Sequence, residues 1–286
     1  MTAKQSRWFA PIDGDAWIMG VLNCTPDSFS DGGMHTSLED TVRHAESMWQ
    51  AGAAIVDAGG ESTRPGAKPI SEKEELARVI PVIEALDEKN IHVSIDTSKA
   101  EVIRQAIAAG ACMVNDVTAL AGDSASLDVV AKAGVDVCLM HMRGTPAIMQ
   151  THVHYDNVVD EVMAFLDARV AACTAAGVAE SAILLDPGIG FGKRLEDNLA
   201  LIAAIPRFKK LGFPVLMGVS RKSFLGELTG ASVGDREIET AAAVTACVYA
   251  GADVVRVHDV PAQARTVKIA SAVRRSLPEP NPGVLS

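Results

Sequence analysis

Eight short apolar runs in this chain end on residues able to do chemistry: Asn23, Asp57, Asp96, Asn115, Met140 with His141, Asp186, the triplet Ser220-Arg221-Lys222, and Arg256 with His258. A buried carboxylate or guanidinium is costly unless it meets a ligand or a countercharge. Any one of these residues alone is most simply a cap or a surface group. Eight together at one face of a fold point to a binding site. Arg256 and His258 lie two apart and so share one side of a strand. Two donors there suit an anion, and an ion pair to a neighbouring aspartate accounts for the arginine equally well.

Two loops add charge beside glycine. Thr25-Pro26-Asp27-Ser28-Phe29-Ser30-Asp31-Gly32-Gly33 follows the first run, and Gly59-Gly60-Glu61-Ser62-Thr63-Arg64-Pro65-Gly66 follows the second. Their Gly, Ser and Pro content marks surface loops. Backbone N–H groups of such loops can cradle phosphate. Neither loop matches the nucleotide-binding patterns, so composition alone favours a plain connection. Arg64, Asp27 and Asp31 carry more charge than a passive turn needs. Ser223 stands before the helical-looking Phe224-Leu225-Gly226-Glu227-Leu228, near a helix N-terminus where an anion is favoured. His152 and His154 share a loop, but no histidine cluster has zinc-ligand spacing. There is no GxSxG elbow. Cys24 reads as a small packing residue.

The elements that must hold these groups follow from a repeated phrase. Ala51-Gly52, Ala109-Gly110, Ala133-Gly134 and Ala250-Gly251 each precede an apolar run, with looser copies at Gly177 and Gly212. A helix ending at glycine and a strand buried on both faces explain the phrase. Adding 17–23 and 91–96 gives eight strands. Helical periodicity fills the gaps, at 38–50, 72–86, 100–108, 124–133, 158–176, 198–211, 237–250 and 262–274. Eight strands alternating with eight helices predict an α/β fold, a single (β/α)8 TIM barrel, with the site at the C-terminal ends of the strands. A doubly wound sheet is the alternative. No linker divides the chain, so residues 1–286 read as one domain. Within it, 1–13 form an N-terminal extension, a lid or plug under the barrel, and 278–286 a frayed tail.

Composition narrows the partners. The 286 residues are 48% hydrophobic and 22% charged, which suits a globular chain and excludes a disordered one. Twenty-six basic against 36 acidic residues give a net charge of −10, which argues against a nucleic-acid or anionic-membrane surface. Aromatic residues at 4% leave no stacking stripe for single strands. Five cysteines without a CxxC pair read as reduced thiols in the cytoplasm. The first twenty residues show no signal-peptide core, and no apolar run reaches bilayer-spanning length.

The motifs also carry a resemblance. The run 18–33, from Ile18-Met19-Gly20 through Asn23-Cys24-Thr25-Pro26-Asp27 to Gly33, closely resembles the first signature of the dihydropteroate synthases. Asp57-Ala58-Gly59-Gly60-Glu61-Ser62-Thr63-Arg64-Pro65-Gly66-Ala67 resembles the second. Ser94-Ile95-Asp96-Thr97-Ser98-Lys99, Val114-Asn115-Asp116, Leu139-Met140-His141-Met142, Asp186-Pro187-Gly188-Ile189-Gly190-Phe191-Gly192-Lys193, Gly218-Val219-Ser220-Arg221-Lys222-Ser223 and Arg256-Val257-His258-Asp259 follow in order. Cys24 departs from the pattern, where a small aliphatic residue is commoner.

This resemblance implies a folate-pathway transferase. Such an enzyme joins 6-hydroxymethyl-7,8-dihydropterin diphosphate to 4-aminobenzoate and releases diphosphate. The resemblance further implies a cytoplasmic homodimer, Mg²⁺ as cofactor, and inhibition by sulfonamides at the aminobenzoate site. Carried onto this chain, Asp96, Asn115, Met140, Asp186 and Lys222 bind the pterin. Asn23, Thr63, Arg64, Arg256 and His258 hold the diphosphate, with Asn23 on the metal. Phe29, Pro65, Phe191 and Ser223 enclose the aminobenzoate. Asp31, Asp96, Arg64, Arg256 and His258 form the catalytic set of a dissociative mechanism. Two other classes share the pterin slot: a methyltransferase domain serving a corrinoid protein, and a non-catalytic pterin-binding paralogue. Arg64, Arg256 and His258, as a diphosphate clamp, argue against the first, and the intact loops argue against the second.

Overall fold

Alternation along each strand decides what this fold can do. In a parallel sheet covered by helices, successive side chains point to opposite faces. The computed structural model describes residues 14–24, 38–63, 66–145, 149 and 153–277. The extension 1–13, the tail 278–286, the first-loop residues Asp27, Phe29 and Asp31, and Arg64 and Pro65 lie outside the described residues.

The strands are β1 (Trp17–Asn23), β2 (Ile55–Gly59), β3 (Val93–Asp96), β4 (Met113–Asp116), β5 (Asp136–Met140), β6 (Ile183–Asp186), β7 (Leu216–Met217) and β8 (Val254–Val257). They pair in the order β6-β5-β4-β3-β2-β1-β8-β7, every pair parallel. A parallel bridge between Leu185 and Val215 joins the two ends of the sheet. The result is the (β/α)8 barrel, not the open doubly wound sheet.

Helices α1 (Leu38–Gln50), α2 (Glu72–Glu88), α3 (Ala100–Ala108), α4 (Ser126–Ala133), α5 (Val158–Ala175), α6 (Leu195–Ala203), α7 (Ile205–Lys209), α8 (Ser223–Thr229), α9 (Glu237–Ala250) and α10 (Val260–Arg275) connect the strands. The glycine ends are real: Gly134 closes α4 at φ 66°, a left-handed conformation that costs other residues dearly. Helical periodicity predicts one helix over 198–211, but the chain breaks there into α6 and α7. Pro206, at the start of α7, has no N–H to continue the preceding helix, and its ring crowds the carbonyl four residues back.

Two apolar layers result. Outward residues such as Ile18, Val56, Ile95, Val114, Leu139, Leu185 and Val255 pack against the helices. Inward residues near the strand starts, Met19, Ile55, Met113, Cys138, Leu184, Leu216 and Val254, fill the barrel floor. The next inward positions, two residues further along, are mostly polar. There the core stops and the site begins.

Candidate active site at the barrel mouth

Asp57, Asn115, Asp186 and Arg256 each stand two residues above a floor residue, and Asp96 stands two above the buried Ser94, all pointing inward. The sequence places Asp57 at a strand end. The structure corrects this, since β2 continues to Gly59 and sets Asp57 inside the barrel, fully buried. Likewise β4 runs on to Asp116 and β8 to Val257, so Asn115 and Arg256 sit below the rim. Asp116 points outward and serves the fold, accepting from the Thr118 N–H and hydroxyl and the Leu120 N–H.

Arg256 is the centre of this layer. Its Nε donates to Asp57 Oδ2 at 2.6 Å and its Nη2 to Asp96 Oδ2 at 2.7 Å. The ion-pair reading of this arginine is therefore the one realised here. Asn115 Nδ2 donates to the same Asp57 oxygen at 2.9 Å. The other Asp57 oxygen, Oδ1, is buried and finds no hydrogen-bond partner among the described residues. Burial would lower the Arg256 pKa, but Asp57 and Asp96 outweigh it and hold the guanidinium firmly charged. Asp96 goes the other way: burial pushes its pKa up to about 7, against the pull of Arg256, with Asp57 adding to the rise.

Asp186 and Lys222 face this group from the opposite wall. Asp186 Oδ1 accepts from the Gly188 N–H at 2.7 Å, while burial raises its pKa. Burial and the Arg256 charge bring Lys222 down to about 8, with Asp186 and Asp96 opposing. The Lys222 ammonium lies 4.0 Å from the centre of the Phe191 ring, a cation–π contact. Phe191 also belongs to a small apolar patch with Met140, Val117, Met149 and Met142. Predicted pterin residues and a predicted aminobenzoate residue thus meet at one place.

The remaining predicted residues ring the mouth. His258 Nδ1 lies 3.0 Å from the Ser220 hydroxyl, which fixes the ring at the end of β8. Thr63 borders a polar cleft with Glu61, Glu75, Asp96 and Lys99. Asn23 closes β1 in register with Gly59 of β2. Ser223 opens α8 and is exposed there. The Cys24 thiol is pushed up to about 12, chiefly by burial, consistent with a packing role.

Sequence reasoning misses three groups that support the mouth. Asp57 earns no role there beyond its position at a run's end. Lys99 binds Glu61 and Glu75, each at 2.5 Å, and the Ile70 carbonyl at 3.0 Å, which ties both ends of the second loop to α2. Lys193 meets His141 behind Phe191. Both lysines stand in quoted motifs, but their partners come from other loops.

Comparison with known proteins agrees with this geometry. The family model described as pterin binding enzyme matches residues 19–258. The dihydropteroate synthase of Escherichia coli K12 is 45% identical over 256 residues, covering 89% of this chain and 90% of that protein. The Yersinia pestis dihydropteroate synthase, solved as a sulfonamide drug complex, superposes with a TM-score of 0.89 at 42% identity, covering 96% of this chain and 99% of that one. The Xanthomonas albilineans dihydropteroate synthase, solved with 4-aminobenzoic acid, gives 0.85 at 46% identity, with 92% and 94% covered.

Proposed function

Because this chain belongs to the pterin-binding enzyme family, among its dihydropteroate synthases, we propose a division of its barrel mouth into a pterin slot, an anion rim and an aminobenzoate wall. The reaction joins 6-hydroxymethyl-7,8-dihydropterin diphosphate to 4-aminobenzoate, yielding 7,8-dihydropteroate and diphosphate. One observation carries the division: the inward polar layer of Asp96, Asn115, Asp186 and Arg256, with Lys222 beside it, sits on a closed apolar floor. A flat heterocycle with a donor and acceptor edge fits such a slot.

In this reading Asn115 and Asp186 hydrogen-bond the pterin edge, and Lys222 reaches it from the far wall. Met140 lines the slot. Thr63, Arg64, His258 and the remaining Nη1 of Arg256 hold the diphosphate. Charge builds on that group as its C–O bond breaks, so donors placed there lower the barrier. The diphosphate leaves first with the C–O electron pair, the amine of 4-aminobenzoate then attacks the pterin methylene cation, and the ammonium so formed releases its proton to solvent or the departing diphosphate. Asp96, once deprotonated, faces the cationic ring. Asp31 steadies the cation and steers the amine, with both loops closed against water. Phe29, Pro65 and Phe191 wall the aminobenzoate, and Ser223 meets its carboxylate at the start of α8. Sulfonamides compete for that wall.

Magnesium fits a limited donor set here. Among the described residues no three His, Cys, Asp or Glu side chains converge on one point. Asn23 supplies a neutral oxygen at the inward end of β1, partly buried. Mg²⁺ commonly takes one or two protein oxygens and fills its shell with water and substrate phosphate. Asn23 would hold it on the diphosphate, where the ion offsets the charge of the leaving group.

No helix among the described residues is long and apolar enough to cross a membrane, and Cys24, Cys112, Cys138, Cys173 and Cys247 are all free thiols. The free thiols support a reducing, cytoplasmic setting, and the homodimer is carried by the family resemblance. The deciding assay is diphosphate release from the pterin diphosphate. Release that requires 4-aminobenzoate supports the reading; release indifferent to it, or methyl transfer to a corrinoid protein, overturns it.

A further inference from the structure

Behind the aminobenzoate wall lies a buried cation that the reaction does not use. Lys193 is 3% exposed, and His141 beside it is 5% exposed. The Lys193 ammonium has three hydrogens and meets three acceptors: His141 Nδ1 at 2.9 Å, the His141 carbonyl at 3.2 Å and the Phe191 carbonyl at 3.0 Å. Its reach spans the end of β5 and the loop after β6. His141 is itself held, with its ring edge-on to Phe165 at 4.9 Å.

The loop is built to accept this staple. Gly188 adopts φ +72°, and a Cβ there would fall 1.9 Å from the His141 carbonyl oxygen. The Tyr155 hydroxyl donates to the Gly192 carbonyl at 2.9 Å, and Asn198 Oδ1 accepts from the Gly190 N–H at 2.7 Å. Phe191, the side chain this loop carries, is the one that meets Lys222 at the mouth.

We infer that Lys193 is a positioning residue: it staples the 188–192 loop to the end of β5 and so fixes Phe191 against Lys222, setting the aminobenzoate side of the site. The inference rests on the proposed role of Phe191. The charged and titratable neighbours of Lys193 are His141 and Arg143 after β5, Asp186 on β6, Asp197 on α6 and Lys222 after β7. Burial brings Lys193 down to about 7, with Asp186 opposing, and burial with Lys193 brings His141 down to about 3. The histidine is therefore the neutral acceptor. Once the lysine loses its proton, two hydrogens remain for three acceptors and the staple weakens.

The test uses the full-length enzyme as wild type, Lys193→Met, Lys193→Arg and His141→Asn. In Lys193→Met, amide exchange over 188–192 rises and KM for 4-aminobenzoate rises about tenfold or more, while affinity for the pterin diphosphate changes by less than about threefold. His141→Asn, which keeps the carbonyl acceptor, shifts both readouts the same way by less, and it decides the matter if Lys193→Met does not fold. Wild-type KM for 4-aminobenzoate rises with pH above about 7, and Lys193→Arg, whose cation persists, loses that rise. Unchanged exchange, or equal losses for both substrates, overturns the inference. A wild type without aminobenzoate-dependent product instead overturns the functional reading, and the exchange measurement still judges the staple.

Discussion

Asp57 accepts the side-chain amide of Asn115 at 2.9 Å, joining β2 to β4 across the barrel interior. A carboxylate can only accept here, so this bond fixes which way the Asn115 amide faces. With its nitrogen committed to Asp57, the amide orientation of Asn115 is set, and in the proposed slot its carbonyl and other N–H serve the pterin edge. In the proposed slot Asp57 would therefore set the pattern that the pterin edge meets, acting through Asn115. Asp57→Asn keeps the shape but allows the Asn115 amide to flip, and it removes the Asp57 charge from beside Arg256. Pterin affinity should fall by roughly tenfold to a hundredfold, the effect of one mismatched buried hydrogen bond of about 1–3 kcal/mol. Titration calorimetry with a pterin analogue measures it, and a change below about threefold would show that Asn115 holds its own orientation.

The slot and the anion rim should also separate by mutation. Asp186→Asn swaps an acceptor for a donor at the proposed pterin edge, and it should cost pterin binding about tenfold to a hundredfold while leaving diphosphate binding intact. His258→Ala should do the reverse, since His258 is held by Ser220 at the rim, away from Asp186. Parallel titrations of both variants with each ligand give the answer. Equal losses of both ligands in both variants would mean that the two subsites are one.

Most of this site can be read from strand pairs two residues apart. Ile55 with Asp57, Met113 with Asn115, and Leu184 with Asp186 each put a floor residue and a site residue on the same side of a strand, and Ser94 with Asp96 repeats the spacing with a buried polar residue below. Depth is harder, because it depends on the register between strands. Asp57 lies level with Ser94, two residues below Asp96, although both aspartates close apolar runs. The Lys193–His141 pair spans 52 residues of sequence and joins two loops, where no periodicity applies. Pro206 marks the break between α6 and α7 plainly, yet apolar spacing continues across it and reads as one helix.

Two glycines with similar positive φ should respond very differently to alanine. Gly134 sits at φ +66° with nothing within 4 Å of a built Cβ, so Gly134→Ala should cost only about 1–2 kcal/mol, the left-handed penalty alone. Gly188→Ala adds a collision with the His141 carbonyl and should cost more than about 4 kcal/mol or displace the Phe191 loop. Urea unfolding of both variants tests this. Similar losses in the two would mean that the 188–192 loop yields without resistance.

Asp31 lies on the first loop with Gly32 and Gly33 behind it, and its proposed work is on the methylene cation rather than on bound pterin. Asp31→Ala should lower kcat by about 10²–10³, the scale of removing one electrostatic stabiliser. Pterin diphosphate affinity should hold, because Asp96, Asn115, Asp186 and Lys222 are untouched. Steady-state kinetics beside a direct binding measurement separate the two, and a defect found wholly in binding would take Asp31 off the catalytic list.

Asp96 should make stability and activity respond to pH in opposite directions. Asp57 and Asp96 present two carboxylates to the single Arg256 guanidinium, and burial holds the Asp96 pKa at about 7. An aspartate in the unfolded chain titrates near 3.9. Between these values the folded state binds a proton that the unfolded state has lost. The Asp96 contribution to stability is therefore full below about pH 4 and disappears as pH rises through about 7, at about 1.4 kcal/mol per unit of separation. In the proposed mechanism the carboxylate stabilises the cationic transition state, so kcat/KM should climb over the upper part of the same range. Urea unfolding of wild type and Asp96→Asn at about pH 5 and pH 8 tests the first half. The wild type should lose stability relative to the variant on going to the higher pH. A pH-independent difference would place the Asp96 proton elsewhere, and the acid limb of kcat/KM would then need another group.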